Sequence, residues 1–205
     1  LCTSLETAPD LPAQVLQPNC YFGMFVQNFA LTEPPTIAAT TGADTACTYM
    51  FGYCTGLKHV ADFGLTTVGE SVFNCMYRGC TSLTDISDIK LPATTLKVSC
   101  YENMFVECTG ITNANISLPA TNLAQQCYYG MFQGCTNMTI GPTTLPATTL
   151  AVACYYAMFY NCNKLTTTVS ILPATTISQY GYYGMYCYCS SLVNVPEIAA
   201  TSVSY

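Results

Sequence analysis

The sequence has few charged residues, one histidine and no tryptophan. Only 8% of its 205 residues are charged, and five lysines and arginines face eleven carboxylates, for a net charge of -6. A chain so poor in basic residues is not expected to bind nucleic acid or anionic lipid. No charged residue lies between Glu107 and Lys164, but Pro119, Pro142 and Pro146 interrupt that stretch. We therefore expect no membrane insertion there.

The motifs of common enzyme sites are missing as well. The sequence contains no GxSxG, GxGxxG or HExxH and no phosphate-binding loop. Its single histidine, His59, stands beside Lys58 and is expected at the surface. We predict that the protein is not an enzyme and has no catalytic residues, no cofactor and no metal.

An internal repeat dominates what is present. The word CYYGMFQGC at 127–135 recurs in variant form every 26 to 28 residues, with methionine at its centre and an aromatic residue after it. These methionines are Met24, Met50, Met76, Met104, Met131, Met158 and Met185. A second word, LPATTL at 145–150, also recurs, and repeat lengths vary only in the segment before it. Residues 1–205 are therefore predicted to form a single solenoid domain. Because neither end shows a capping repeat, we expect a fragment of a longer chain or end-to-end stacking.

The apolar residues of each repeat predict a short helix. Cys127, Tyr128, Met131, Phe132 and Cys135 fall within an arc of about 140° at the helical 100° per residue. The threonine pair of LPATTL can cap this helix, and the segment before it predicts a short strand. The fold prediction is an α/β, leucine-rich-repeat-type solenoid of about seven to eight repeats, each with a short strand, a turn and a short helix, and with a parallel β face. Helices spaced about 8–10 Å apart and strands about 4.8 Å apart would curve it.

The fourteen cysteines allow three interpretations. Two cysteines eight residues apart on one helix would be separated by about 12 Å, beyond the reach of a disulfide. Equivalent cysteines of adjacent helices would lie about 8–10 Å apart, which is also too far for a disulfide without distortion of the backbone. Ala46, Val72 and Gly181 replace the first cysteine, which favours packing of a small buried residue over disulfides or metal ligation. Three cysteines lie outside the two columns and could pair or stay free: Cys47, Cys75 and Cys187.

The pattern CYxxMFxxCTxLT with LPATTL, as at Cys127 to Met138 and Leu145 to Leu150, resembles the BspA-like leucine-rich repeats of bacterial surface proteins. The resemblance covers essentially all of residues 1–205. It implies a non-enzymatic protein, extracellular or on the bacterial cell surface, that mediates adhesion by binding a protein or glycan on a host or neighbouring cell. Such repeats also occur in gut phages, so the alternative is a structural subunit of a filament or virion that stacks with copies of itself.

A column of tyrosines is the candidate binding site. The third residue of the repeated word points away from the apolar stripe, and in the last three words it is Tyr129, Tyr156 and Tyr183. A row of exposed aromatic residues favours contact with a protein or a glycan. The alternative interpretation is that these rings shield the neighbouring helices from water.

Overall fold

The structure is a computed structural model, and it describes residues 3–204. The chain winds into stacked coils, and each coil is one sequence repeat, because bridged residues lie 26 to 28 positions apart. We call the nine residues that begin at the first-cysteine column of a coil its turn segment, and number them one to nine. The turn segments are 20–28, 46–54, 72–80, 100–108, 127–135, 154–162 and 181–189.

Short parallel strands join the coils outside the turn segments. The strands are β1 (Val15–Leu16), β2 (Thr41–Gly42), β3 (Thr67–Val68), β4 (Ile171–Leu172), β5 (Thr176–Ile177), β6 (Glu197–Ile198) and β7 (Ser202–Val203). They form a sheet of order β1-β2-β3 and the pairs β4-β6 and β5-β7. Isolated parallel bridges link further coils: Leu11 with Ile37, Asp85 with Asn113, Thr95 with Asn122, Asn113 with Ile140, Ile140 with Thr167, and Thr149 with Thr176. The predicted solenoid with parallel pairing is confirmed.

The predicted helices are not formed. No α-helix occurs within residues 3–204, and each turn segment is a series of overlapping four-residue turns. The N–H groups of Phe22, Met24 and Val26 each donate to the carbonyl three residues earlier, at 3.1 to 3.2 Å. An α-helix would place these bonds four residues apart. The helical part of the α/β prediction is therefore wrong.

The remaining backbone groups of a turn segment connect one coil to the next. The N–H groups of Tyr21, Gly23 and Phe25 donate to carbonyls of the following coil, each at 2.9 Å. Positions two, four, six and eight do the same at the later junctions between turn segments. Because odd positions bond within their coil and even positions bond to the next one, the turn segments satisfy their backbone polar groups without a helix. We call this set of bonds between coils the turn ladder.

A left-handed residue recurs at every fourth position of the turn segments. In the first coil these residues are Asn19, Gly23 and Gln27, with φ of 57° to 60°. The residue before the segment, the fourth and the eighth have positive φ in all seven coils. Gly23 is the third residue of the turn 21–24, the position at which a type II turn requires positive φ. Glycine or asparagine, the residues that tolerate this conformation best, stands at eight of these 21 positions.

A period of four residues also explains why the apolar pattern resembled a helix. Positions one, two, five, six and nine face inward, and over only nine residues this set fits a repeat of 3.6 as well as a repeat of 4.0. Their burial was correctly predicted: Cys127, Tyr128, Met131, Phe132 and Cys135 are 0% to 1% exposed. The backbone conformation that achieves this burial was not predicted.

The inward aromatic rings stack in two columns along the solenoid axis. Centroids are 5.3 to 5.7 Å apart in the column at position six. They are 5.6 to 5.8 Å apart in the column at position two. These spacings are well below the 8–10 Å of packed helices. The turn side and the strand side therefore advance by similar steps, and the expected cause of strong curvature is absent.

Candidate functional site

The cysteine columns belong to the core, except for Cys20 in the first coil, which is exposed. Positions one and nine hold Cys100 and Cys108 in one coil and Cys154 and Cys162 in another, and all four are 0% exposed. Each of the 13 cysteines within residues 3–204 is a free thiol. Packing is confirmed as the role of these columns. The expected spacing of about 8–10 Å between equivalent cysteines is wrong, however, because aromatic rings of adjacent coils stack 5.3 to 5.8 Å apart.

The ninth-position thiol has a definite hydrogen-bond partner. The Sγ of Cys108 donates to the carbonyl of Tyr77, 2.9 Å away in the preceding coil. The same bond, from position nine to position six, recurs at 2.9 to 3.2 Å for Cys54, Cys80, Cys135, Cys162 and Cys189. The thiol is small enough for the core and still offers a donor to a buried carbonyl. This bond distinguishes cysteine from alanine at the ninth position.

Burial keeps these thiols protonated. Desolvation raises the pKa of Cys108 to about 12 and that of Cys154 to about 11. It raises the pKa of Cys135 well above the ordinary 9.0, and Cys162 nearby adds to the effect. Because the thiolate is the nucleophile and the metal ligand, these cysteines are unreactive at neutral pH.

The three cysteines outside the columns differ from one another. Cys47 occupies position two, in line with the buried aromatic column, and Cys75 occupies position four; both are buried. Cys187 is exposed. Among the described residues, no group of three or more histidines, cysteines or carboxylates is placed to hold a metal ion. His59 lies at the surface as expected, 3.6 Å from a carboxylate oxygen of Glu33.

The structure brings the three predicted tyrosines together on the outer face of the turn segments. The rings of Tyr129 and Tyr156 stack with centroids 4.6 Å apart, and those of Tyr156 and Tyr183 stack 5.0 Å apart. Tyr183 is 58% exposed. Tyr129 and Tyr156 are half-buried. The rings lie on turns and not on helices, so the shielding interpretation now concerns the turn segments. Whether the tyrosines bind a ligand remains a prediction.

A groove runs beside this tyrosine column, parallel to the solenoid axis. Position three forms one wall, and position seven forms the other with Gln133, Tyr160 and Cys187. Ala157 and Gly184, both at position four, line the floor of the groove. Tyr188 lines the groove in the last coil. The volume is about 710 Å³, and no charged side chain lines it. We call this feature the tyrosine groove.

Small residues at position four, Ala157 and Gly184, line the floor of the groove in the last two coils. Tyr49, Cys75 and Asn103 occupy the same position in three earlier coils. Gly23 and Gly130 are also small, but they do not line the groove. Gly130 has φ +56°, and a Cβ atom at this residue would collide with the Oδ1 of Asn103. The side chain of Asn103 therefore lies over Gly130 and limits the groove at this end.

Sequence reasoning missed the opposite wall and the floor of the groove. On a helix, position seven would lie only about 40° from position three, so Tyr160 could have been grouped with Tyr156. Position four would lie about 100° away, so Ala157 was not considered with Tyr156. Among the left-handed positions, glycine or asparagine stands four residues apart only at Asn19 and Gly23 and at Gly130 and Gly134. This spacing was the available signal for repeated left-handed turns.

The fold defines the protein as a parallel repeat solenoid with a tyrosine-lined groove. It has structural similarity to the crystal structure of a leucine-rich repeat protein from Bacteroides ovatus ATCC 8483, with 15% identity and a TM-score of 0.31. The aligned region covers 92% of this chain and 66% of that protein. No protein-family model matches the chain, and no curated protein matches it. The resemblance to BspA-like repeats therefore stays a prediction from the sequence. No helix among the described residues is long and apolar enough to cross a membrane.

Proposed function

We propose that this chain is a non-enzymatic, BspA-like leucine-rich-repeat protein that works outside the cell or on a bacterial cell surface, where it binds a protein or glycan of a host or neighbouring cell. The observation that carries the proposal is the tyrosine groove. Three stacked tyrosines and an uncharged groove of about 710 Å³ occupy the outer face of the last turn segments. Clefts lined by aromatic side chains with a few polar groups are the usual form of a ligand site.

Rigidity of the groove supports a binding role. Its floor residue Ala157 donates its N–H to the carbonyl of Tyr183 at 2.8 Å, and the inward neighbours of the floor are fully buried. Tyr156 is stacked between Tyr129 and Tyr183 and therefore loses little freedom when a ligand binds. A preformed site avoids the ordering cost that weakens binding by mobile side chains.

The test is Tyr156→Ser, assayed on an array of cell-surface glycans and of purified extracellular matrix proteins. We expect the wild-type protein to bind at least one member and the variant to bind it about tenfold or more weakly, as for loss of a central aromatic anchor. Phe22→Ser is the matched control, because Phe22 is an exposed aromatic at the same third position, outside the groove. Equal binding by wild type and Tyr156→Ser, or no binding to any member, would contradict the proposal.

One observation favours the alternative, a structural subunit of a filament or phage virion. Positions two, four, six and eight of the turn segments always donate to the following coil, so each junction between turn segments repeats the same set of backbone bonds. A second copy could continue such a repeated junction. Electron microscopy of the purified protein tests this alternative: regular fibres support it, and dispersed particles count against it.

A further inference from the structure

The tyrosine groove is specific enough to indicate a class of ligand. We infer that it binds a neutral, extended, β-linked oligosaccharide lying parallel to the solenoid axis, with successive sugars contacting successive coils. This inference rests on the proposed binding role of the groove, and it goes further by choosing a glycan over a protein and a neutral glycan over an acidic one.

The interval between tyrosines is the first argument. Tyr129, Tyr156 and Tyr183 supply one ring per coil, with centroids 4.6 and 5.0 Å apart. Successive pyranose rings in an extended β-linked chain repeat at a closely similar interval. A glycan along the groove can therefore place each sugar opposite an equivalent tyrosine, with no mismatch accumulating over the three coils.

The polar groups available in the groove are the second argument. The three tyrosines place a row of hydroxyl groups along the groove, and each hydroxyl can donate and accept a hydrogen bond. Because the rings stack on one another, the column presents ring edges and hydroxyls rather than open ring faces. The amide of Gln133 adds a donor and an acceptor on the opposite wall. A row of donors and acceptors suits a ligand rich in hydroxyl groups.

The backbone of the floor argues against an extended peptide. Peptides that bind as an added strand need free N–H and C=O groups. The N–H of Ala157 donates to the carbonyl of Tyr183 at 2.8 Å. The carbonyls of Ala157 and Gly184 accept from the N–H groups of Tyr160 and Cys187 at 3.0 and 3.1 Å. These backbone groups are therefore already bonded, and side chains must carry most of the recognition.

Charge selects a neutral ligand. No charged side chain lines the groove, so an anionic sugar would find no counter-charge. Glu102 lies near the closed end, where with burial and Tyr156 it raises the pKa of Tyr129. This carboxylate would repel an acidic glycan. Tyr129 therefore remains a neutral hydroxyl that can both donate and accept.

The experiment is calorimetric titration of the purified chain with cello- and xylo-oligosaccharides of increasing length, compared with oligogalacturonates of equal length. We expect affinity for a neutral series to rise with length until the sugar spans three coils and then to level off. The anionic series should bind at least tenfold more weakly. Equal binding of both series, or no neutral oligosaccharide bound at millimolar concentration, would overturn the inference.

Two variants test the geometry. Tyr156→Phe keeps the stacked ring and removes the hydroxyl, and it should weaken binding about three- to tenfold, as for loss of one hydrogen bond. Ala157→Asn copies Asn103 at the equivalent position, fills the floor and should reduce binding at least tenfold. Phe22→Ser should bind as wild type, and thermal unfolding verifies that each variant is folded. If both groove variants bind the sugars as wild type does, the inference is wrong.

The proposed function can survive the failure of this inference. A protein ligand that binds the wild type, is lost in Tyr156→Ser and competes with no oligosaccharide would retain the binding role and refute the glycan. If the wild-type protein binds no oligosaccharide and no protein, both the glycan inference and the proposed function are refuted.

Discussion

Turn segments 100–108 and 154–162 share their inward residues and differ on the outside. Cysteine, tyrosine, methionine, phenylalanine and cysteine recur in the same order at the inward positions, and all are 0% to 1% exposed. The outward positions hold Glu102 and Asn103 in the first segment, and Tyr156 and Ala157 in the second. The backbone bonds of the two are the same. One core and one turn ladder therefore support either a polar surface or a groove.

This comparison separates stability from recognition. Inward side chains and the turn ladder hold the coils together and are nearly constant along the chain. Outward side chains have no part in that ladder, so they can vary from coil to coil. The tyrosine groove is thus a local property of three coils on a common scaffold.

The largest effect should come from breaking the shared core. Phe105 stacks at 5.3 and 5.7 Å on its two neighbours in the column, and Phe159 at 5.7 and 5.4 Å. Phe105→Ala and Phe159→Ala should each lower the free energy of unfolding by about 3–5 kcal/mol, because each removes a buried ring and leaves a cavity. Urea denaturation measures both, with exposed Ser170→Ala as control. A large loss at one site and none at the other would show that the two cores are not equivalent.

The buried thiols should give a pH-dependent effect that is smaller for each thiol and each pH unit. The pKa of Cys108 is about 12 and that of Cys154 about 11, against 9.0 for an ordinary thiol. The unfolded chain therefore loses these protons first, so their stabilisation is complete below pH 9 and is lost as the pH rises towards 11 to 12. Each thiol contributes a slope of up to about 1.4 kcal/mol per pH unit in that window.

Thermal unfolding in the presence of a reductant measures this slope. The midpoint should be nearly constant from pH 6 to 8 and should fall steeply above pH 9. Cys108→Ala and Cys154→Ala should each make the fall shallower by a similar amount. A midpoint that stays level from pH 9 to 11 would contradict the burial of both columns.

The smallest effect on stability should come from exchanging the outer residues. The double variant Glu102→Tyr with Asn103→Ala copies Tyr156 and Ala157 and should change the free energy of unfolding by less than about 1 kcal/mol, because these side chains lie outside the core. It should also lengthen the groove by one coil. The oligosaccharide length at which affinity levels off should then increase by one sugar. If the folded double variant shows the same length dependence as the wild type, the tyrosine column does not set the number of sugars that the groove binds.

Some features of the fold were predictable from single residues. The column from Met24 to Met185 defined the coil, and the replacement of cysteine by Ala46 or Val72 correctly indicated packing. Tyr156 was placed on the outer face because position three lies opposite the apolar positions under either period. Tyr160 stands four residues after Tyr156 and shares its side under either period, so it could have been assigned to the same site. The place of Ala157 on the floor of the groove was visible only in the structure.

The sequence by itself determined the repeat, the inward residues and the absence of charge around the tyrosines, because these follow from the order of apolar and polar side chains. Only the tertiary structure decided that the turn segments are turns and not helices. Nine residues with this pattern can bury the same side chains in either form. The bonds that choose between the forms join residues of different coils, and those bonds exist only once the coils are stacked.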